Sequence, residues 1–575
     1  MKTIITTLNA KYIHASPALR WLYVANKDRF DISFKEFVIK DDIYKVANDL
    51  LASNPDIIGI GVYIWNVDQI LRLATILKTR RPELILIAGG PEVSYEPEYF
   101  LSFGFIDFII SGEGEFVLGE LLSTLTNYQS EDYSSINIES VSHPHRINKT
   151  AAKANLKKLA ELPSPYRLNE DREDRKNRYV YFETSRGCPY QCNYCLSSLE
   201  KGMSYFPLEY VFQNLEYLIE NGARQVKFTD RTFNLNQDHS LAIFDFLIAH
   251  YKTGLSFQFE IYADLLTEDL INQLNETLRP HYFRFEIGIQ STFEPTNRAI
   301  RRKQNFEQIS FFVKKLMDGQ KVDLHLDLIA GLPYETLERF KKSFDDVFAL
   351  RPKELQLGFL KMLRGTALRQ NANLYGYQYN QQAPYEIISN NSLSSEDLSR
   401  IHSTELALDK YWNNGKFKHT MEAIFETTIY KNRYFDFFYE LGQFYDECPL
   451  PDNYHLEDIF LHLHRFLLLK GVDLFDQLRK DYYSCYKIRP QGFWENRLDK
   501  KTCKRLLHQI ANDKPFLTTC QLNRYIIEKQ STIDILDENN YLLTIFCADG
   551  SRDNPLFLNY PKKQCLNNAN TSSIN

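Results

Sequence analysis

Cys188, Cys192 and Cys195 constrain this 575-residue chain more than any other feature of it. They stand in Thr184-Ser-Arg-Gly-Cys-Pro-Tyr-Gln-Cys-Asn-Tyr-Cys195, a C-x3-C-x2-C triplet just after a predicted strand. Thiolates are soft ligands that hold iron–sulfur clusters, and a 4Fe–4S cube normally takes four of them. Three so close together bind three irons and leave the fourth open to a group that is not protein. An open iron is a reactive site. A structural zinc site closes with four ligands, and here no further Cys or His follows at that spacing; the next His is His239. A redox disulfide would use only two of the three. The remaining cysteines (Cys448, Cys485, Cys503, Cys520, Cys547 and Cys565) are scattered and form no C-x2-C pair. They read as buried or incidental thiols, which leaves one cluster.

The length calls for roughly three or four domains, since one hydrophobic core does not grow to this size. Charged residues make up 25% of the chain, as in an ordinary globular protein. The net charge of −6 carries no global nucleic-acid signature. No apolar run approaches the roughly 18 residues of a membrane span, and the start turns polar too early for a signal peptide. Nine cysteines, an odd number in a large chain, argue against a secreted disulfide framework. The expected location is therefore cytoplasmic, where an exposed cluster stays reduced.

The expected fold class is α/β, in three parts. Residues 1–135 alternate strands (Thr3–Leu8, Ile32–Val38, Ile57–Tyr63, Leu84–Ala88, Ile106–Ile110) with helical patterns such as Asp68–Thr79. That alternation predicts a flavodoxin-like parallel sheet covered on both faces, with ligands beyond the carboxyl ends of its strands. Two glycine turns fall there, Ala88-Gly-Gly-Pro91 and Ser111-Gly-Glu-Gly-Glu115. Residues 136–175 read as a polar linker. Residues 176–385 hold six strand–helix units, with strands Tyr179–Thr184, Gln225–Thr229, Ser256–Ile261, Tyr282–Ile287, Val322–Leu328 and Glu354–Leu360. Their helices include Leu208–Glu220, stopped by Gly222, and Phe306–Asp318, stopped by Gly319. Six units predict a partial (β/α)6 barrel, with chemistry at the carboxyl ends of its strands, where the triplet lies.

Residues 386–565 are mainly helical, for example Leu456–Lys470, with a hairpin of Tyr541–Cys547 and Leu556–Tyr560; a disordered tail is expected at 566–575. Between Asp476 and His508 nine Lys/Arg face four Asp/Glu among aromatics that include Phe493 and Trp494. Such interleaving can bind nucleic acid, but a solvated helical face accounts for it as well.

The triplet, with Tyr194 before its third cysteine and six strand–helix units behind it, resembles the radical SAM signature. In that family the open iron is chelated by S-adenosylmethionine (SAM), and one electron from the cluster cleaves a carbon–sulfur bond to give a 5′-deoxyadenosyl radical. The resemblance implies that Cys188, Cys192 and Cys195 ligate a single 4Fe–4S cluster and that Tyr194 lies against the adenine. It also implies a low-potential cluster fed by an external donor such as flavodoxin or ferredoxin. Phe228-Thr-Asp-Arg-Thr-Phe-Asn234 puts Thr229 and Asp230 where the family meets the SAM amine, though without its glycines. Phe285-Glu-Ile-Gly-Ile-Gln-Ser291 offers Glu286 and Gln290 for ribose or carboxylate contacts, and Asp327-Leu-Ile-Ala-Gly-Leu-Pro333 supplies the turn near adenine. Each of these polar residues reads equally well as barrel lining.

The region before the barrel is similar to a cobalamin-binding domain, which implies Gly89, Gly90, Gly112 and Glu113 at the ligand. Many such domains carry D-x-H-x-x-G after the first strand; here the loop reads Tyr12-Ile-His-Ala-Ser-Pro17. His14 is in the matching place, but the Asp that would orient it is a Tyr. Either His14 ligates cobalt, or cobalamin binds with no protein His on the metal, or it does not bind. The whole arrangement resembles the cobalamin-binding radical SAM proteins with a DUF4080 C-terminal domain. Leu8-Asn-Ala-Lys-Tyr-Ile-His14 and Gly358-Phe-Leu-Lys-Met-Leu-Arg-Gly-Thr366 both agree with it.

The resemblance implies a radical SAM enzyme that uses cobalamin to methylate an unactivated carbon. Two alternatives stand beside it: a radical SAM enzyme of another reaction type whose α/β domain only packs, and a non-catalytic iron–sulfur protein that senses redox state or binds RNA. Methylthiolation of tRNA is disfavoured, because those enzymes carry three cysteines in the N-terminal domain and this one has none.

Overall fold

The computed structural model describes residues 1–127, 133–200, 202–487, 498–546 and 555–564. The expected tail at 566–575, and Phe493, Trp494, Cys547 and Cys565, lie outside the described residues. The chain forms two compact units, Met1–Leu398 and Ser399–Asn575. Among the described residues no helix is long and apolar enough to cross a membrane.

The first sheet holds β1 (Thr3–Asn9), β2 (Ile32–Val38), β3 (Ile57–Gly61), β4 (Ile85–Gly89), β5 (Phe108–Ile110) and β6 (Val141–Ser142), in the order β2-β1-β3-β4-β5-β6. The first five run parallel, which is the flavodoxin-like order with its switch point between β1 and β3. All seven residues of β1 are buried because helices cover both faces. Ile4, Ile58 and Leu86 pack on one side with the helices Ile43–Leu51 and Val67–Arg80. Ile5, Ile57 and Ile87 pack on the other with Leu19 of the helix Pro17–Asn26 and Leu118 and Leu122 of the helix Glu115–Asn127. The segment at 136–175 joins this core: Ile136, Ile138 and Val141 are buried in it, and β6 pairs antiparallel with β5. A two-residue strand is too short to show a period in sequence.

The barrel starts with β7 (Val180–Phe182), followed by the hairpin β8 (Ser185–Gly187) and β9 (Met203–Tyr205) that brackets the cysteine loop. Its other strands are β10 (Gln225–Phe228), β11 (Ser256–Glu260), β12 (Phe283–Gln290), β13 (Val322–Ala330) and β14 (Glu354–Phe359). The order β14-β13-β12-β11-β10-β7 is an open, all-parallel six-strand wall. In β12 the buried Phe283, Phe285, Ile287 and Ile289 alternate with partly exposed Arg284, Glu286, Gly288 and Gln290. One helix end differs from expectation: Phe306–Gly319 closes on Gln320, which takes the left-handed conformation at φ 52°. Gly319 serves close packing instead, since a Cβ there would stand 1.9 Å from Asn275 Oδ1.

A small antiparallel pair, β15 (Gln378–Tyr379) and β16 (Ile387–Ser389), follows the barrel. The second unit is helical, with Tyr434–Glu447 and Leu456–Leu469 among its helices. The expected hairpin appears as β18 (Asn540–Ile545) and β19 (Leu556–Pro561), joined by a strand not foreseen, β17 (Ser531–Ile535).

Candidate functional site

The cysteine loop is fixed by contacts of its backbone, of Asn193 and of Tyr190. Cys195 N donates to Cys192 O at 3.1 Å, and Asn193 anchors the loop through Ile300 O (3.0 Å) and Ala299 O (2.9 Å). Tyr190 stacks on Tyr262 with ring centres 4.3 Å apart. Burial raises the Cys188 and Cys192 thiols, and repulsion from the neighbouring sulfurs adds to it. The three are thus close enough to interact as anions. Yet among the described residues no group of three or more His, Cys, Asp or Glu is arranged to hold a single metal ion. A cube takes one thiolate per iron, and three thiols on one loop with no fourth Cys near them in sequence match that donor set. Tyr194, between the second and third cysteines, is half-buried, and burial pushes its phenol up.

The strand-end residues divide into two groups. Thr229 holds the end of β10 to β7, its N donating to Phe182 O at 2.8 Å, and lines the large cavity. Asp230, expected at the SAM amine, is instead 1% exposed and turned into the protein. One of its oxygens accepts from Thr184 Oγ1 and Ser185 Oγ, both at 2.6 Å, and the other from Thr184 N at 3.0 Å. It therefore shapes the approach to the cysteine loop. Burial outweighs those bonds and raises its carboxyl to about 6.

Glu286 accepts from Gln258 and faces His325 Nδ1 at 3.4 Å. Burial works to raise it, but His325, Arg284 and Lys227 outweigh burial and hold it below the usual range. Burial likewise opposes a charge on His325, but Asp327 and Glu286 raise it to about 9. Gln290 sits at a bulge in β12 with φ 68°, and among the described residues its buried Oε1 has no hydrogen-bond partner. Glu260, at the end of β11, is raised to about 7, chiefly by burial, with Glu286 and Asp327 adding to it against Arg231.

A cavity of about 660 Å³ opens at the carboxyl ends of the first sheet and reaches the barrel. Its lining joins the turns Gly89-Gly90 and Gly112-Glu113-Gly114 to Ser185-Arg186-Gly187, Leu196, Ser197, Thr229 and Arg231. Gly90 (φ 108°) and Gly112 (φ 86°) are required by the backbone itself, since a Cβ on either would stand 2.5 Å from a carbonyl oxygen, of Val62 or Ala152. Gly89 differs: a Cβ there meets nothing nearer than 3.7 Å and would project from a cavity-lining position. Tyr63 and Trp65, stacked with ring centres 4.5 Å apart and their planes nearly parallel, also line the cavity.

Two of the expected cobalamin residues make polar contacts within the protein. His14 does not line the cavity. Its Nδ1 shares a 2.6 Å hydrogen bond with Tyr181 OH on β7, and Arg178 donates to its carbonyl at 2.6 Å. The loop after β1 docks on the first barrel strand, with the isolated bridge His14–Tyr179 beside the Tyr181 bond. Burial lowers its pKa, with Lys227 adding to the effect. Glu113 lines the cavity, but its Oε2 accepts from Ala154 N (2.8 Å) and pairs with Arg186 (3.1 Å).

Several site residues escaped the sequence reading. Arg186 forks onto Glu183 (2.8 Å), Glu115 (2.7 Å) and Glu113, joining the first sheet to the barrel. Arg364, after β14, donates to Glu92 at 2.9 Å and to Tyr385 OH at 3.0 Å. Their positions within the motif segments were the only signal. Their partners lie as much as 272 residues away.

Residues 4–122 match the B12 binding domain model, 182–347 the Radical SAM superfamily model, and 373–542 DUF4080, a protein family of unknown function. The chain is 26% identical over 312 residues to the cobalamin-dependent radical SAM methyltransferase TokK of Streptomyces tokunonensis, covering 50% of this chain and 44% of TokK. It is 25% identical over 332 residues to a 2-(S-pantetheinyl)-carbapenam-3-carboxylate methyltransferase of Streptantibioticus cattleyicolor, covering 54% and 47%. It thus spans about half the length of these curated relatives. Among solved structures, the cobalamin-dependent S-adenosylmethionine radical enzyme OxsB with aqua-cobalamin bound superposes with a TM-score of 0.59 at 14% identity, covering 85% of this chain and 82% of OxsB. That likeness is one of fold.

Proposed function

We propose that this chain, a cobalamin-binding radical SAM protein with a DUF4080-type C-terminal domain, transfers a methyl group to an unactivated carbon of its substrate. The observation that carries the reading is the cavity that the glycine turns of the first sheet share with the end of β10 and the residues flanking the cysteine triplet, Ser185–Gly187 on one side and Leu196 and Ser197 on the other. When bound, the cluster with SAM supplies reductive carbon–sulfur cleavage, and cobalamin supplies a transferable methyl group. The chain's own residues bind and orient. Cys188, Cys192 and Cys195 hold three irons. Tyr194, Thr229, Glu286 and Gln290 are the residues we assign to SAM. Asp230 stiffens the entry to the cysteine loop through Thr184 and Ser185. Gly89 leaves room for the corrin, with Gly90 and Gly112 shaping the turns beside it, and Arg186 fixes one cofactor domain against the other. His14 lies outside the cavity lining, so in this reading cobalamin is held without His14 on cobalt.

Enzymes of this superfamily need a reductant and a substrate. We assign the first role to a flavodoxin or ferredoxin and place the protein in the cytoplasm, where an open cluster survives. The test is to purify the chain with cobalamin present, reconstitute the cluster, add SAM and reductant, and assay 5′-deoxyadenosine alongside bound cobalt. An intact cluster that yields no 5′-deoxyadenosine refutes the radical reading. Cleavage without bound cobalt leaves a radical SAM enzyme of another type.

A further inference from the structure

The segment that anchors the cysteine loop also brings a cation to it. Ala299 and Ile300 receive the two hydrogen bonds of Asn193, and two residues further on stands Arg302. Its guanidinium lies 5.2 Å from the centre of the Tyr262 ring, whose other partner is Tyr190 of the cysteine loop. Its Nε donates to Gln304 Oε1 at 2.8 Å, and one Nη donates to Gly288 O. A ring, a side-chain amide and a backbone carbonyl therefore fix its plane. Its charge also acts on Cys192 and Tyr194. Asp264 feels its charge, but no carboxylate forms an ion pair with it among the described residues, so the charge is directed at the sulfur.

We propose that Arg302 is a positioning residue that raises the reduction potential of the cluster by holding a fixed positive charge beside the cysteine loop, next to Cys192. The inference rests on the cluster reading above. Reduction adds one electron from the external donor, breaks no bond and makes the cluster more negative. A nearby fixed cation stabilises that added charge, and local charge is one of the levers that set such potentials. Guanidinium does not lose its proton in the working pH range, so the contribution is constant with pH. The aromatic perch and two acceptors keep it from swinging out to water, where its charge would be screened.

The test is the midpoint potential of the reconstituted cluster in the full-length protein, read by EPR-monitored redox titration with iron content measured on the same samples. R302M keeps the bulk and removes the charge and the donors. At a fixed potential its reduced-to-oxidised ratio is expected to fall at least tenfold, which is 59 mV for one electron. R302K keeps a charge and loses the fork, so a smaller fall in the same direction is expected. An R302M potential equal to wild type, with full iron content, overturns the inference while leaving the cluster reading intact. So does an R302M chain that melts like wild type but takes up no iron, since Arg302 would then serve assembly. If R302M does not fold, R302K decides, and an unmoved or raised potential overturns the assignment. A wild-type chain that binds no iron overturns the cluster reading and this inference together.

Discussion

Replacing Arg186 with Met removes one cation from between three carboxylates. The substitution breaks the bonds from Nε and Nη2 to Glu183, both 2.8 Å, from Nη2 to Glu115 at 2.7 Å and from Nη1 to Glu113 at 3.1 Å. The side chains are 14% exposed for Arg186 and 13%, 8% and 21% for Glu183, Glu115 and Glu113, so water screens little of this. Removing one partner of a buried ion pair costs about 3–5 kcal/mol, because the other charge stays buried and uncompensated. At about 1.4 kcal/mol per decade this is roughly a hundredfold or more in the opening equilibrium around the fork. Hydrogen-exchange mass spectrometry on peptides spanning 112–118 and 182–187 reads that opening locally, without requiring two-state unfolding of a large chain. The prediction is a loss of at least a hundredfold in protection in both peptides. The control is Arg298→Met, whose pair with Glu294 is 78% and 66% exposed and should change almost nothing. Protection in R186M within threefold of wild type would refute the claim that this fork fixes the sheet against the barrel.

Other consequences follow from the same geometry. Gly89→Val puts a branched side chain at a cavity-lining position, so bound cobalt should drop at least tenfold while iron content stays; unchanged cobalt would place the corrin elsewhere. His14→Ala should leave the cobalt-to-protein ratio unchanged and weaken only the docking of the first loop on β7, and loss of cobalt would return His14 to the metal. His325, raised to about 9, has a folded pKa above its unfolded value of 6.5. Its stabilisation is complete below pH 6.5 and is lost as pH rises through 9. About 3 kcal/mol is at stake, and the melting-temperature difference between wild type and His325→Gln should shrink across that window. A pH-independent difference contradicts the network.

The architecture was legible because its signals are local. Phe283 to Gln290 alternates buried and open positions, a period of two that the letters carry directly, and all eleven expected parallel strands appear. The glycine turns were found for the same reason. Long-range commitments were not legible. Asp230 reads as a cofactor carboxylate until Thr184 and Ser185 are seen to occupy it from 46 and 45 residues away. Glu113 does line the cavity, but its pairing with Arg186, 73 residues on, is not visible in the letters. His14 sits at a plausible motif position, but what it faces is decided by the docking of its loop on the barrel. Arg302 belongs to the run Arg301-Arg302-Lys303, which looks like a solvated basic patch, and only the fold separates the residue beside Cys192 from its neighbours in that run.

The central claim is that SAM and cobalamin work in one cavity, and it can be tested before any substrate is known. Protein loaded with cluster and cobalamin is incubated with reductant and SAM labelled with deuterium in its methyl group, and the bound corrinoid is then analysed by mass spectrometry. The account predicts the labelled methyl on the corrinoid in wild type, with the transfer lost in Gly89→Val. An unlabelled corrinoid, with cluster, SAM and cobalamin all bound at full occupancy, would contradict it.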